Sequence, residues 1–273
     1  LILKPLIKEL FSIEKEQVYC SILPTTTQYS RNALFAGLMP LDIKNNYPEK
    51  WIDEETNEGK NLYEDFFLQE NLKRNAIDIK SSFHKITNLD KGKKLLNNFN
   101  NLLHNNLNTI VYNFVDTLSH ARTEMEVIKE LAEDESAYRS LTLSWFKHSP
   151  LYEMMKIISE NSCKVFLTTD HGTIRVKNAS KVMGPKQINN NMRYKVSKNL
   201  SYNKKDVMEA LDPEKISLPK NALSSSYVFA KENNFFVYPN NYHHFANLYD
   251  DTFQHGGISL EEMLIPFVFL KSK

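Results

Sequence analysis

The apolar run at residues 164–169 ends in Asp170, His171 and Gly172, and this ending constrains the fold more than any other stretch. Neighbouring side chains of a strand point to opposite faces. Asp170 and His171 can therefore serve one cation only where the strand has ended and the backbone turns, which a glycine permits. A carboxylate beside an imidazole is a zinc-type donor pair. Taken alone, the triplet reads more readily as a plain solvent-exposed turn than as a metal site.

Other segments share this grammar. The β-rich residues 109–115 end at Asp116, and His120 follows in what reads as the first turn of a helix. Spacing of i, i+4 puts both side chains on one face. Near the C-terminus, His255, Gly256 and Gly257 precede Ser259 and Glu262, a capping-box pair, so His255 is expected in a loop just before a helix. Residues 17–24 read as a strand. Thr25, Thr26 and Thr27 then lead into a helical pattern at 28–36, placing a hydroxyl where free helix amides favour an anion. In an open parallel α/β sheet the carboxyl ends of strands share one edge, so these segments are expected to converge.

The order Thr, Asp-x-x-x-His, Asp-His-Gly, His-Gly-Gly resembles the alkaline phosphatase superfamily of two-zinc phosphoesterases. Residues 23–38 and 255–266 are similar to the PglZ domain within it, most of all to one that stands behind the receiver of a response regulator linked to type IX secretion. The resemblance implies an alkaline-phosphatase-like α/β fold, a mostly parallel sheet flanked by helices. Residues 1–273 would form one such domain, with insertions at about 39–105 and 173–222. It also implies Thr27 as nucleophile, with Thr25 and Thr26 as competing choices. Asp116, His120 and His255 match one zinc site; Asp170, His171 and the Thr27 oxygen match the other. The family carries a further Asp at the end of its first strand, before a helix. This sequence opens with the helical pattern 1–11, so that strand and its Asp are expected upstream of residue 1.

The implied chemistry is physically coherent. Zinc lowers the pKa of bound water from ~16 to about 7, and would activate a threonine hydroxyl likewise. Attack on phosphorus would leave a phosphothreonine that water hydrolyses. Arg31, one turn after Thr27, suits bidentate grip on phosphate oxygens; a solvated helix arginine is the equal alternative. The resemblance argues against a sulfatase, whose oxidised Cys or Ser is replaced by Thr27 and whose Pro is replaced by Tyr29.

A chain of 273 residues, 41% hydrophobic, can bury the core of a single large α/β domain. No apolar run of 18 residues suggests a membrane helix, and the cytoplasm is expected. Cys20 and Cys163 fall in expected strands and read as reduced core residues. Net charge is only +1, yet residues 172–205 hold Arg175, Lys177, Lys181, Lys186, Arg193, Lys195, Lys198, Lys204 and Lys205 with no acidic residue. With Tyr194 and Tyr202 interleaved, the segment suits a polyanion, with Arg193 and Lys195 as substrate contacts. A solvated charge run is the bland alternative. Helices are expected at 61–75, 90–105, 117–132 and 136–159, the last interrupted near Pro150, and late strands at 225–230 and 234–238. His243 and His244 read as incidental or indirect; His84, His104 and His148 read as surface or packing residues.

These features together describe a two-zinc phosphodiesterase acting on nucleotides or oligonucleotides, as the output domain of a response regulator with an N-terminal receiver. A phosphomonoesterase or phosphomutase is the alternative within enzymes. A zinc-stabilised, dimerising signalling and partner-binding module is the alternative outside them.

Overall fold

A computed structural model describes residues 2–52, 61–185, 189–220 and 225–273, apart from the side chains of Ser119, His120, residues 122–124, Glu126 and Lys129. The chain forms two compact units, each assembled from separated segments. The first comprises Leu1–Gln17, Asp78–Thr168 and Pro266–Lys273; the second comprises Val18–Ile77 and Thr169–Ile265.

In the first unit, Lys164–Thr168 pairs antiparallel with Leu264–Ser272, whose other neighbour is the strand Phe11–Cys20. Alternation sets the faces. Val268 and Leu270, opposite Leu167 and Val165, pack with Ile7, Phe11, Phe146, Tyr152 and Met155. Each such apolar side chain contributes roughly 1.5–3 kcal/mol when fully buried. Phe166, on the opposite face, stacks on Phe269 with centroids 4.9 Å apart. The strands Ser81–Ile86 and Leu107–Tyr112 run parallel, joined through the helices Leu89–Asn97 and Phe99–Leu102. The first of these helices is capped by the Asn88 side chain, which accepts from the Lys91 amide at 2.9 Å. The region 117–159 forms four helices, Phe114–Glu124, Glu126–Leu131, Glu135–Lys147 and Pro150–Ser159; the break before Pro150 is the expected one, and the break at Met125 is not. The last two begin with side-chain caps from Asp134 and Ser149.

In the second unit, the helix Thr27–Ala36 lies on the helix Glu64–Arg74. It stops at Gly37, whose left-handed φ of 59° suits a glycine at that cap. Tyr29 is 1% exposed and meets Trp51, Tyr194 and Tyr227 edge-on at 5.6–6.3 Å. These contacts fix the helix two residues beyond Thr27. The antiparallel strands Tyr194–Ser197, Ser226–Ala230 and Val207–Ala210 complete this core. A second core forms where Asn234–Val237 runs parallel to Asn178–Met183.

The class is α/β, with helices flanking sheets of mixed parallel and antiparallel pairing. Among the described residues no helix is long and apolar enough to cross a membrane. Cys20 departs from expectation. It lies on its strand, but the side chain is exposed; Cys163 is half-buried just before its strand, and both are free thiols.

Candidate metal centre

Three chain segments of the second unit build the site. The first is the turn entering the helix Thr27–Ala36, where three successive threonines have three different fates. Thr25 is fully buried; its hydroxyl donates to the Gly257 carbonyl and accepts from the Gly256 amide, both at 2.9 Å. That hydroxyl is committed to the fold. Thr26 takes the extended N-cap position without a side-chain cap bond, and its buried hydroxyl meets no hydrogen-bonding partner. Thr27, half-buried as the first helical residue, points its Oγ1 to within 3.5 Å of His171 Nε2.

The second segment carries Asp170, His171 and Gly172. His171 is 8% exposed, and its Nδ1 lies 2.9 Å from the Gly172 carbonyl. A carbonyl can only accept, so Nδ1 carries a proton, and in the neutral ring Nε2 is the nitrogen with the lone pair. Asp170 Oδ2 is buried, accepts no hydrogen bond from the described residues and lies 3.7 Å from His171 Nε2. Ser21, absent from the sequence expectations, anchors this turn by donating to the Asp170 carbonyl at 2.5 Å. Gly172 is needed for a reason other than a special φ. A Cβ there would come within 2.0 Å of the Glu261 carbonyl oxygen, and its amide donates to the Glu262 carbonyl at 2.9 Å.

The third segment carries His255. Its Nδ1 lies 3.0 Å from the Thr25 carbonyl, so this ring too holds its proton on Nδ1. The two imidazoles stack with centroids 4.1 Å apart and 19° between planes, and their ligand atoms lie within 4.8 Å of each other. The expected capping box is present: Ser259 accepts from the Glu262 amide while Glu262 accepts from the Ser259 amide. The glycines of His-Gly-Gly are explained by crowding. Gly256 has φ +121°, and a Cβ on Gly257 would approach Arg193 Nη2 and the Ala230 carbonyl to 2.7 Å.

Arg193 and Lys195 are not surface substrate contacts. Arg193 is 0% exposed; its Nε and Nη2 reach the two Glu262 oxygens at 3.0 and 2.6 Å, and it also donates to the carbonyls of Ala230 and Asn234. Lys195 is 3% exposed and donates to the Asn189 carbonyl at 2.7 Å. Residues 193–196 are all buried, so both faces of this segment are covered, and backbone carbonyls and a buried carboxylate satisfy the two cations. Arg175 pairs with Asp251, while Lys177, Lys181, Lys198, Lys204 and Lys205 are exposed. Lys186 lies outside the described residues. Arg31, 8% exposed, pairs through Nε with the fully buried Glu64 and ties its helix to Glu64–Arg74. His243 and His244 are exposed on the helix Tyr242–Tyr249.

Asp116 and His120 belong to the first unit. Both lie on the helix Phe114–Glu124, which begins earlier than the sequence suggests, so Asp116 sits inside its first turn and not at a strand end. The His120 side chain lies outside the described residues.

The donor chemistry fits a zinc-type cation. Two imidazoles tied at Nδ1 lie side by side, next to a buried carboxylate oxygen that lacks a hydrogen bond among the described residues. A cleft of about 270 Å³, walled by Tyr19, Cys20, Ile22, Leu34, Thr169 and Asp170 among others, adjoins this carboxylate and accounts for the exposed Cys20.

A family model described as the BREX system PglZ alkaline phosphatase-like domain matches residues 2–270. Among solved structures, the phosphonoacetate hydrolase from Sinorhizobium meliloti 1021, in complex with phosphonoformate, is similar with a TM-score of 0.53 and 11% identity, over 98% of this chain and 83% of that one. At this identity the likeness concerns the fold alone. No curated protein matches the chain.

Proposed function

The chain belongs to the PglZ family of alkaline-phosphatase-like domains, and on that premise we propose that it is a zinc-dependent phosphodiesterase that uses Thr27 as its nucleophile. The observation that carries the reading is the placement of Thr27 Oγ1 at 3.5 Å from His171 Nε2, beside the stacked His255 and the buried Asp170 oxygen. His171, Asp170 and His255 would hold metal here. Asp116 and His120 are the further zinc ligands that the family's ligand order implies.

Bound zinc supplies Lewis-acid charge that lowers the pKa of the attacking hydroxyl and stabilises the departing oxygen. The chain does the rest. The aromatic nest around Tyr29 holds the helix so that Thr27 Oγ1 stays at its N-terminus, where free amides favour the phosphate. Attack forms the Thr27 Oγ1–phosphorus bond as the ester oxygen leaves with its electron pair, and water then cleaves the phosphothreonine.

Substrate charge favours a diester. A dianionic monoester gains more from a guanidinium that offsets its extra charge, and Arg31, the candidate nearest Thr27 in sequence, gives its Nε to Glu64. A singly charged diester needs less. The nucleotide character of that diester, and a role as output domain behind a response-regulator receiver, rest on the family resemblance. The test is turnover of bis-nitrophenyl phosphate, nitrophenyl phosphate and phosphonoacetate by zinc-loaded protein and by Thr27→Ala. Diester turnover lost in the variant supports the reading; preference for the monoester or the phosphonate sinks the diester assignment.

A further inference from the structure

We propose that Thr25 and the buried Arg193–Glu262 pair act as positioning residues, clamping the His255 loop from two sides so that His255 is held in its Nδ1–H tautomer with Nε2 presented for metal. The inference rests on the metal-centre reading above and extends it to residues that touch neither metal nor substrate.

From one side, Thr25 makes three contacts with the loop. Its carbonyl takes the proton of His255 Nδ1 at 3.0 Å, while its hydroxyl accepts from the Gly256 amide and donates to the Gly257 carbonyl. From the other side, Glu262 Oε1 accepts from the Gly257 amide at 2.9 Å, and Oε2 accepts from the Ser259 amide and hydroxyl at 3.0 and 2.8 Å. A carboxylate with 0% exposure that relied on these donors alone would carry an uncompensated charge. Arg193, equally buried, neutralises it through a two-point contact. The Glu262 backbone carbonyl also holds the Gly172 amide, next to His171. One residue thus ties together the loops that carry both histidines.

A buried ion pair replaceable by apolar side chains would be mere packing. This one differs because both carboxylate oxygens also receive loop donors, so its loss releases the backbone that aims His255. Outer groups of this kind typically change metal affinity by about 10–100-fold when removed.

The test compares Thr25→Val, which keeps shape and carbonyl but removes the hydroxyl, with Thr25→Ser, which restores it. In metal-free protein, ring-nitrogen NMR should show His255 protonated on Nδ1 in the wild type and Thr25→Ser, and a mixture of tautomers in Thr25→Val. Cobalt titration should show affinity about tenfold or more weaker in Thr25→Val alone. If Thr25→Val fails to fold, Ser259→Ala, which frees one Glu262 oxygen of its hydroxyl donor, should shift both readouts in the same direction. An unchanged tautomer and unchanged cobalt affinity in the folded variant would overturn the clamp. Wild-type protein that binds no cobalt would overturn the metal-centre reading instead, while the tautomer comparison still decides for or against the clamp.

Discussion

The imidazole of His255 lies face to face with that of His171, 4.1 Å between centroids, each ring held at Nδ1 by a backbone carbonyl. Stacked donors with their lone pairs on the same type of nitrogen are arranged for a shared electrophile. A polar contact between the rings themselves would need one of them rotated.

Metal content follows from this geometry. His171→Ala and His255→Ala should each lower bound zinc, measured by elemental analysis of the purified protein, because a tetrahedral site tolerates loss of a protein ligand poorly. Chelator treatment should lower the wild-type Tm, since metal at about 100 times its Kd contributes about 2.7 kcal/mol. Full zinc content in His255→Ala would remove that residue from the ligand set.

The Thr25 hydroxyl is bonded to the Gly256 and Gly257 backbone and that of Thr26 is buried, which leaves Thr27 as the proposed nucleophile. Thr27→Ala should abolish turnover and Thr27→Ser should keep part of it, since serine retains the attacking oxygen. Thr26→Ala should stay near wild type, because its buried hydroxyl has no hydrogen bond to lose. Phosphate trapped on residue 26 after acid quench, read by mass spectrometry, would contradict this assignment.

The site was more legible in the sequence than the fold around it. The capping box at Ser259 and Glu262 is a local pattern and survives folding intact, and Thr27, Asp170 and His171 lie close together although 143 positions separate the first two. The strand Ser81–Ile86 was not read, because Ser81, Ser82, His84 and Lys85 give it no apolar alternation and only Ile86 is buried. The burial of Arg193 and Lys195 was hidden for a different reason. Charge composition cannot reveal that a carboxylate 69 positions away, at Glu262, will meet an inward-facing guanidinium. Thr25 looked like a competing nucleophile until its hydroxyl was seen bonded to Gly256 and Gly257.

Arg193→Ala should destabilise the protein by about 3–5 kcal/mol, because it leaves the Glu262 charge buried without a counterion. Urea unfolding measures this. The apolar double replacement Arg193→Met with Glu262→Leu should remain destabilised, since the Gly257 and Ser259 amides lose their acceptors. A double variant as stable as wild type would show that those amide bonds contribute little. Cleavage of oligonucleotides by folded variants should keep its salt dependence, as Arg193 releases no counterion from its buried site.

Alkaline pH tests a different neighbourhood. Burial, a hydrogen bond to Glu209 and the charge of that carboxylate push the Tyr202 phenol up to about 12 from its ordinary value near 10. A pKa raised by folding means that the neutral phenol is the stabilised form. Its contribution is complete below about pH 10 and is lost as pH rises through about 12. Tyr202→Phe should therefore show a shallower fall of Tm over that window than wild type. Parallel curves would leave Tyr202 without a part in alkaline unfolding.

Gly172 couples fold to chemistry most tightly, because an added Cβ would stand 2.0 Å from the backbone oxygen of Glu261, which no rotamer change can move. Relief requires the turn to shift, and His171 is the adjacent residue. Gly172→Ala should cost roughly 1–3 kcal/mol, the usual range for overpacking, and weaken cobalt binding as well. Gly92→Ala is the matched control. Its Cβ would crowd the Tyr112 hydroxyl at 2.8 Å and Pro150 within the first unit, so it should lose stability while cobalt affinity stays put. Equal cobalt affinities in both variants would mean that the turn at Gly172 adjusts without carrying His171 along, and that the ligand geometry depends on Ser21 and the His255 loop instead.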